Sequence, residues 1–222
     1  MLRDLRAHER SIRSQCGEDG VLLRIFERIG TTNRYFVEFG AKDGCVESNT
    51  AHLRIDHGWS GLLMEGDAER VREPVRNEFV TAENVNELFA RYRVPPDFDL
   101  LSIDVDGNDY WIWKAIEGYH PRVVVVEYNI FFGPSVRKTI PYSADFHWDK
   151  TPYHGASLAA LQKLGREKGY TLVYAESYAP NAFFLRNTEL PADFIERPIE
   201  EISDWWLCEE PEDELNRPWV SI

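Results

Sequence analysis

At 222 residues, 43% of them hydrophobic and 28% charged, the chain has the composition of an ordinary soluble globular protein and the length for one full core. Its formal net charge of −13 repels phosphate backbones and argues against nucleic acid as a partner. No run approaches the ~20 apolar residues of a membrane span, and the charged opening MLRDLRAHERSIRS lacks a signal peptide's apolar core, so a cytoplasmic protein without membrane contact is expected.

The chain opens with a helical approach over residues 1–30. In EDGVLLRIFERIG the apolar Val21, Leu22, Ile25, Phe26 and Ile29 recur at three- and four-residue steps, and Gly30 supplies the stop. YFVEF (35–39) is aromatic and β-branched apart from Glu38, which suits a buried parallel strand with a carboxylate near its end. Gly40 to Gly44 then make a loop, and ESNTAHLRIDHG reads as a helix with Ser48 as cap and Gly58 as terminator. GLLMEGD supplies a second strand ending in Glu65. A helix opening at Asp67, broken by Pro74, and a very short strand near 79–81 should follow. TAENVNELFARYRV resumes helical spacing until Pro95 and Pro96.

DLLSIDVDGNDYWIWKAI reads as a strand, a carboxylate-rich turn and a helix, and RVVVVEYN as a strand ending in Glu127. Residues 130–152 are irregular, aromatic and punctuated by Gly133, Pro134, Pro141 and Pro152, the pattern of a substrate lid. A helix over 155–168 and the pair TLVYAE and NAFFLR close the single domain. The acidic tail, 190–222, reads as a solvated face. Cys16, Cys45 and Cys208 are odd in number and contain no CxxC pair, so reduced thiols fit better than a disulfide framework or a zinc site.

Alternating strands and helices predict an α/β domain with a mostly parallel sheet covered on both faces. Parallel strands end on one edge, so Glu38, Glu65, Asp104, Glu127 and Asn129 should ring one crevice. Acids at two strand ends look like a nucleoside grip, because a carboxylate accepts both hydroxyls of a ribose. FGAKDG is not the GxGxxG fingerprint, and no GKS or GKT supports a P-loop.

SQCGEDGVL, FVEFGAKDGCVESNT, GWSGLLMEGD, TAENVNEL, LLSIDVDGNDYWIW and YHGASLAALQKLGREKGYTLV, in that order and spacing, resemble FkbM-type S-adenosylmethionine-dependent methyltransferases over residues 14–186. The resemblance implies a Rossmann-like class I methyltransferase fold, a seven-stranded sheet with an antiparallel last strand, and S-adenosylmethionine as cofactor. It implies that Glu38, Gly40 and Asp43 flank the methionine part of that cofactor, and that Ser48 and Asn49 contact its carboxylate near a helix start. It further implies Glu65 on the ribose hydroxyls, Glu83 and Asn84 beside the adenine, and Asp104 near the ammonium, with Gln15 and Glu18 as further candidates. The segment between Asp67 and Thr81 is shorter than the family usually has.

The acids admit a metal reading as well. Hard oxygen ligands at one crevice suit Mg²⁺ or Mn²⁺, which lowers a hydroxyl's pKa; Asp104, Glu127 and Asn129 are the candidate ligands. This arrangement is similar to catechol-type O-methyltransferases. Alternatively Asp104 binds cofactor, Asp106 and Asp109 cap a helix, and Glu127 is a base. For proton removal His147 and His154, which bracket the lid, join Asp106 and Glu127 as catalytic candidates. Arg137 and Lys138 are candidates for a phosphate or carboxylate on the acceptor. The expected activity is O-methylation of a sugar or natural-product hydroxyl. The rivals are a cofactor-binding protein without turnover and a nicotinamide-dependent oxidoreductase, which should show a glycine-rich diphosphate loop that residues 40–44 lack.

Overall fold

The computed structural model describes residues 5–176, 180–203 and 211–222, which leaves Cys208 outside the described residues. Helix α1 (Glu18–Ile29) leads into β1 (Tyr35–Phe39), α2 (Ala51–His57), β2 (Ser60–Glu65), β3 (Arg76–Asn77) and α3 (Val85–Arg91). Next come β4 (Asp97–Ile103), α4 (Asp109–Ala115), β5 (His120–Glu127), β6 (Lys138–Thr139) and α5 (Leu158–Glu167). β7 (Tyr170–Ala175), β8 (Asn181–Arg186), α6 (Ile199–Ile202) and β9 (Val220–Ser221) follow.

Seven strands form one sheet in the order β3-β2-β1-β4-β5-β8-β7. Its neighbours pair in parallel except that β8 runs antiparallel to both β5 and β7. This is a Rossmann-like α/β fold with a reversed last strand, as expected. The strand residues alternate between two cores, as the two-residue side-chain period requires. Val37, Phe39, Leu101, Ile103, Val124 and Val126 face α3, α4 and α5, where Phe89, Trp113 and Leu161 meet them. Phe36, Leu100, Val123 and Val125 face the opposite layer, built from Val21, Leu22, Ile25 and Phe26 of α1 and Leu53 of α2.

Several local expectations need correction. Only Glu18–Ile29 of the first stretch is α-helical; Arg6–His8 is a single 3-10 turn. α2 starts at Ala51, because Ser48 points its hydroxyl at Glu38 instead of capping the helix, whereas Gly58 does end it at φ 68°. No helix opens at Asp67: the Asp67 amide is held by the Glu65 carboxylate at 2.8 Å, and turns run on to Val75. The third strand lies at Arg76–Asn77, pinned by Asn77 Nδ2 to the Glu65 carbonyl at 2.9 Å, while Phe79 leaves the sheet to meet His147. α3 ends at Arg91, short of the prolines, where Arg93 turns into the left-handed region at φ 56°.

The tail is not merely solvated. Ile199 and Ile202 enter the α3–α5 core, β9 pairs with β6, and Trp219 packs on Phe132 and Tyr153 at 4.8 and 4.6 Å. Residues 130–152 are thereby strapped down, with Arg217 on Asp149 at 2.7 Å and Tyr153 Oη on the Pro218 carbonyl at 2.8 Å.

At the amino edge of the sheet, the fully buried Asp99 accepts from the amides of Thr32, Asn33 and Arg34 and from Arg122 Nη1 at 2.8 Å. Arg122 also meets Glu189 at 2.7 Å and donates to the carbonyls of Ile29 and Gly30. Arg122→Met should therefore lower stability by about 3–5 kcal/mol in urea unfolding, since Asp99 would stay buried without its counter-charge. An Asp99→Asn/Arg122→Met pair should cost less than the sum of the single changes.

Candidate functional site

From β1 the sheet order runs one way to β2 and the other way to β4, so the crevice beyond the carboxyl ends of β1 and β4 is the topological switch point. Gly40 makes this junction possible. It takes φ 71°, and a Cβ there would lie 1.7 Å from the Asp104 carbonyl oxygen, so only glycine lets the two strand ends approach.

Asp104 leaves β4 into the crevice, Asp106 follows on a left-handed residue (φ 56°), and Glu127 ends β5. One carboxylate oxygen from each lies within 4.8 Å of the others. Among the described residues no side-chain hydrogen bond or ion pair reaches any of the three, and Glu127 Oε2 is buried without a partner. Burial first, then mutual repulsion with the neighbouring Asp109 and Asp106, pushes the Asp104 carboxyl far up. Burial and then the Asp104 charge do the same to Glu127. Burial also raises Asp106, opposed by Lys42 and Arg70. The three differ in exposure, Glu127 buried, Asp104 half-buried and Asp106 exposed, and together they form a candidate cation site.

Asp109 belongs to the scaffold. Its carboxylate closes the turn by accepting from the Val105 and Gly107 amides at 2.8 and 2.9 Å, and burial lifts it to about 7. Above that turn lie residues 140–146 of the lid. Trp111 Nε1 donates to the Ile140 carbonyl, Asn108 Nδ2 to that of Ser143, and Phe146 occupies the space that a Gly107 side chain would fill.

The remaining candidates divide by whether the fold already engages them. Glu38, 3% exposed, accepts from Ser48 Oγ and the Asn49 amide at 2.7 Å each and from Thr50 Oγ1. Asn49 Nδ2 continues to Ser102 on β4 at 3.0 Å. The anion at the start of α2 is thus the protein's own Glu38, and the donors of Ser48 and Asn49 expected to meet a cofactor carboxylate are taken. Glu65 accepts from the amides of Lys42 and Asp67 at 2.9 and 2.8 Å, one on each oxygen, which leaves lone pairs on both. Asp43 closes its own turn on the Cys45 and Val46 amides, which hold its carboxyl below the usual range.

Glu83 pairs with the Tyr142 hydroxyl, and Asn84 accepts from the Thr81 amide while donating to the Phe79 carbonyl. Both tie α3 to neighbouring loops instead of lining an open wall. Asn129, assigned as a metal ligand, is fully buried with its Oδ1 on the Phe131 amide and its Nδ2 on the carbonyls of Pro152 and His154. It anchors both ends of the 130–152 segment.

Neither proposed histidine hydrogen-bonds a described residue through its ring. His154 is 7% exposed and packs on Trp148, and burial lowers it to about 4, so it is neutral and a weak base at neutral pH. His147 is exposed against Phe79 at 5.4 Å. Gln15 is exposed in the loop before α1. Arg137 and Lys138 lie at the β6–β9 pair, with the Ile222 amide on the Arg137 carbonyl at 3.0 Å. The cations that act on the acid cluster are Lys42 and Arg70.

Glu176 had no place in the sequence reading. It follows β7 on the same edge, 2% exposed, with Oε1 on the Gly17 amide at 2.8 Å and Oε2 buried without a donor beside Glu18. Glu18 in turn accepts from the Cys16 amide and from Asn181 Nδ2, and Asn181 pairs in register with Glu127. Two adjoining buried carboxyls need a shared proton, and burial followed by the Glu18 charge pushes Glu176 up to about 10. Only the fold of the amino-terminal loop brings these acids together, so no local sequence signal marks them.

No family model matches this chain. Comparison with curated proteins likewise gives no match. Among the described residues no helix is long and apolar enough to cross a membrane.

The Glu176 proton fixes a pH dependence. The folded chain holds it up to about pH 10, whereas an unperturbed glutamate near 4.5 releases it, so this contribution is full at acid pH and declines as pH rises between those values. Glu176→Gln, which donates without needing a proton, should raise the melting temperature at pH 8 and change it little near pH 4.5. An equal shift at both values would contradict the shared proton.

Proposed function

We propose that this chain is an S-adenosylmethionine-dependent methyltransferase acting on a hydroxyl of a small acceptor, a sugar or a natural-product scaffold. The observation that carries the reading is the uncompensated cluster of Asp104, Asp106 and Glu127 at the switch point, with Glu65 ending the adjacent β2. The motif resemblance to FkbM-type enzymes supports it. So does the strand order, with the reversed β8 between β5 and β7.

Bound S-adenosylmethionine supplies a methyl group activated by a sulfonium. Glu65 keeps lone pairs for the ribose hydroxyls, and Asp104 faces the positive charge of the methionine part. The lid, strapped by Arg217 and Trp219, excludes water and holds the acceptor oxygen in line with the methyl carbon. Glu127, whose affinity for a proton is raised by burial and by Asp104, takes the hydroxyl proton at Oε2. Mg²⁺ or Mn²⁺ also fits the three carboxylates, with Asp106 in place of Asn129 as third ligand, and would lower the pKa of a coordinated hydroxyl. Cytoplasmic placement belongs to the same reading and is supported by the free thiols of Cys16 and Cys45.

Calorimetry should find S-adenosylmethionine and S-adenosylhomocysteine bound in preference to NAD, with Glu65→Ala weakening both by about tenfold or more, the worth of a lost charge-assisted hydrogen-bond pair. Preference for NAD, or full affinity in the variant, would overturn the assignment. Chelator should abolish turnover and Mg²⁺ or Mn²⁺ restore it if the three acids hold a metal; turnover indifferent to chelator assigns proton removal to Glu127 alone.

A further inference from the structure

Beside the acid cluster, in the loops that follow β1 and β2, lies a cavity of about 400 Å³ lined by Lys42, Asp43, Val46, Glu47, Arg70 and Arg72. We propose that it is an anion subsite for a phosphate group carried by the methyl acceptor, an inference that rests on the transferase reading. On a chain of net charge −13, three cations against two carboxylates around one cavity run counter to the overall field. They stand next to acids that repel any anionic ligand.

The two charge clusters share one crevice: Lys42 and Arg70 both act on the Asp106 carboxyl, and Arg72 acts on Asp43. Arg72 is the best-prepared donor. Its Nη1 donates to the carbonyls of Glu69 and Val71 at 2.9 and 2.7 Å, which fixes the guanidinium plane, and it forms no ion pair among the described residues. Its remaining donors are available as a fork, the geometry that suits a phosphate. Among the described residues Arg70 is held by an exposed contact with Asp67 at 3.2 Å and the Lys42 ammonium by Glu47 at the rim, so a dianion can displace either partner at little cost.

The cavity favours an acceptor group over the cofactor's own carboxylate. Arg70, Arg72 and Val46 are exposed, Val46 by 62%, so the site opens outward, and two guanidiniums with an ammonium offer more N–H donors than one carboxylate can accept. A sugar phosphate fits this chemistry, with the phosphate on the cations and the ring against Val46.

The test titrates glucose 1-phosphate, glucose and inorganic phosphate into the full chain by calorimetry, with S-adenosylhomocysteine in parallel. Glucose 1-phosphate should bind more tightly than glucose, and the binding should weaken as salt rises. Arg70→Gln/Arg72→Gln should reduce it by about tenfold or more, with Arg72→Lys in between. Arg166→Gln, an exposed change of charge on α5, should leave it unchanged, as should all variants for S-adenosylhomocysteine. If the double variant fails to fold, the salt dependence and the glucose comparison on the wild-type chain decide. Equal binding of glucose and its phosphate overturns the inference, and so does a loss of S-adenosylhomocysteine affinity in the arginine variants, which would give the cations to the cofactor. Phosphate binding without S-adenosylhomocysteine binding upholds the subsite and sinks the transferase reading instead.

Discussion

Three carboxylates at the switch point have no donor among the described residues. That is the constraint from which the functional account follows. At the other edge of the same sheet Asp99 shows how this fold treats a buried acid when it serves stability alone: three backbone amides, a threonine hydroxyl and Arg122 surround it. Glu38 and Asp109 are satisfied in the same manner by amides and hydroxyls. Asp104, Asp106 and Glu127 receive nothing comparable, although Ser102, Asn108 and Asn129 lie within two or three residues of them. Keeping the buried Glu127 and the half-buried Asp104 charged without donors costs stability.

The backbone around the cluster is built to hold that repulsion. Gly40 lets the β1 and β4 ends close on each other, Asp109 folds the 105–109 turn, and Asn129 clamps both ends of the lid. The strap from the carboxyl-terminal segment, β9 against β6 and Trp219 against Phe132, fixes the lid above the turn. These contacts hold the backbone that carries the acids and keep them from relaxing apart.

Much of the fold was legible because strand burial writes itself into residue type. YFVEF, LLSI and RVVVV are near-continuous apolar runs, and each became a central strand at almost the expected bounds. The convergence of their terminal acids followed from parallel topology. What the residues did not disclose was which acids the fold neutralises. Glu38 and Glu127 are the same residue type at equivalent strand ends; one meets Ser48, Asn49 and Thr50, and the other meets no donor. That difference depends on the path of the following loop.

For the same reason nothing in the sequence showed that the Asn129 amide would be engaged by the Phe131 amide and the carbonyls of Pro152 and His154. The short pairing of residues 138–139 with 220–221 joins segments far apart in the chain and too brief to show periodicity. Arg70 and Arg72 carry no local signal of a site; the fold sets them beside Lys42 around one cavity.

The most direct test is the melting temperature of Glu127→Gln against wild type, without ligand and then with S-adenosylmethionine and with Mg²⁺. Burial and Asp104 favour the protonated form of Glu127, so replacing it with glutamine should leave the unliganded melting temperature near that of wild type while abolishing the further rise that ligand gives the wild-type chain. A variant that melts lower than wild type, or that gains as much from ligand, would contradict the claim that these acids are held apart from the protein's own donors in order to bind a cation.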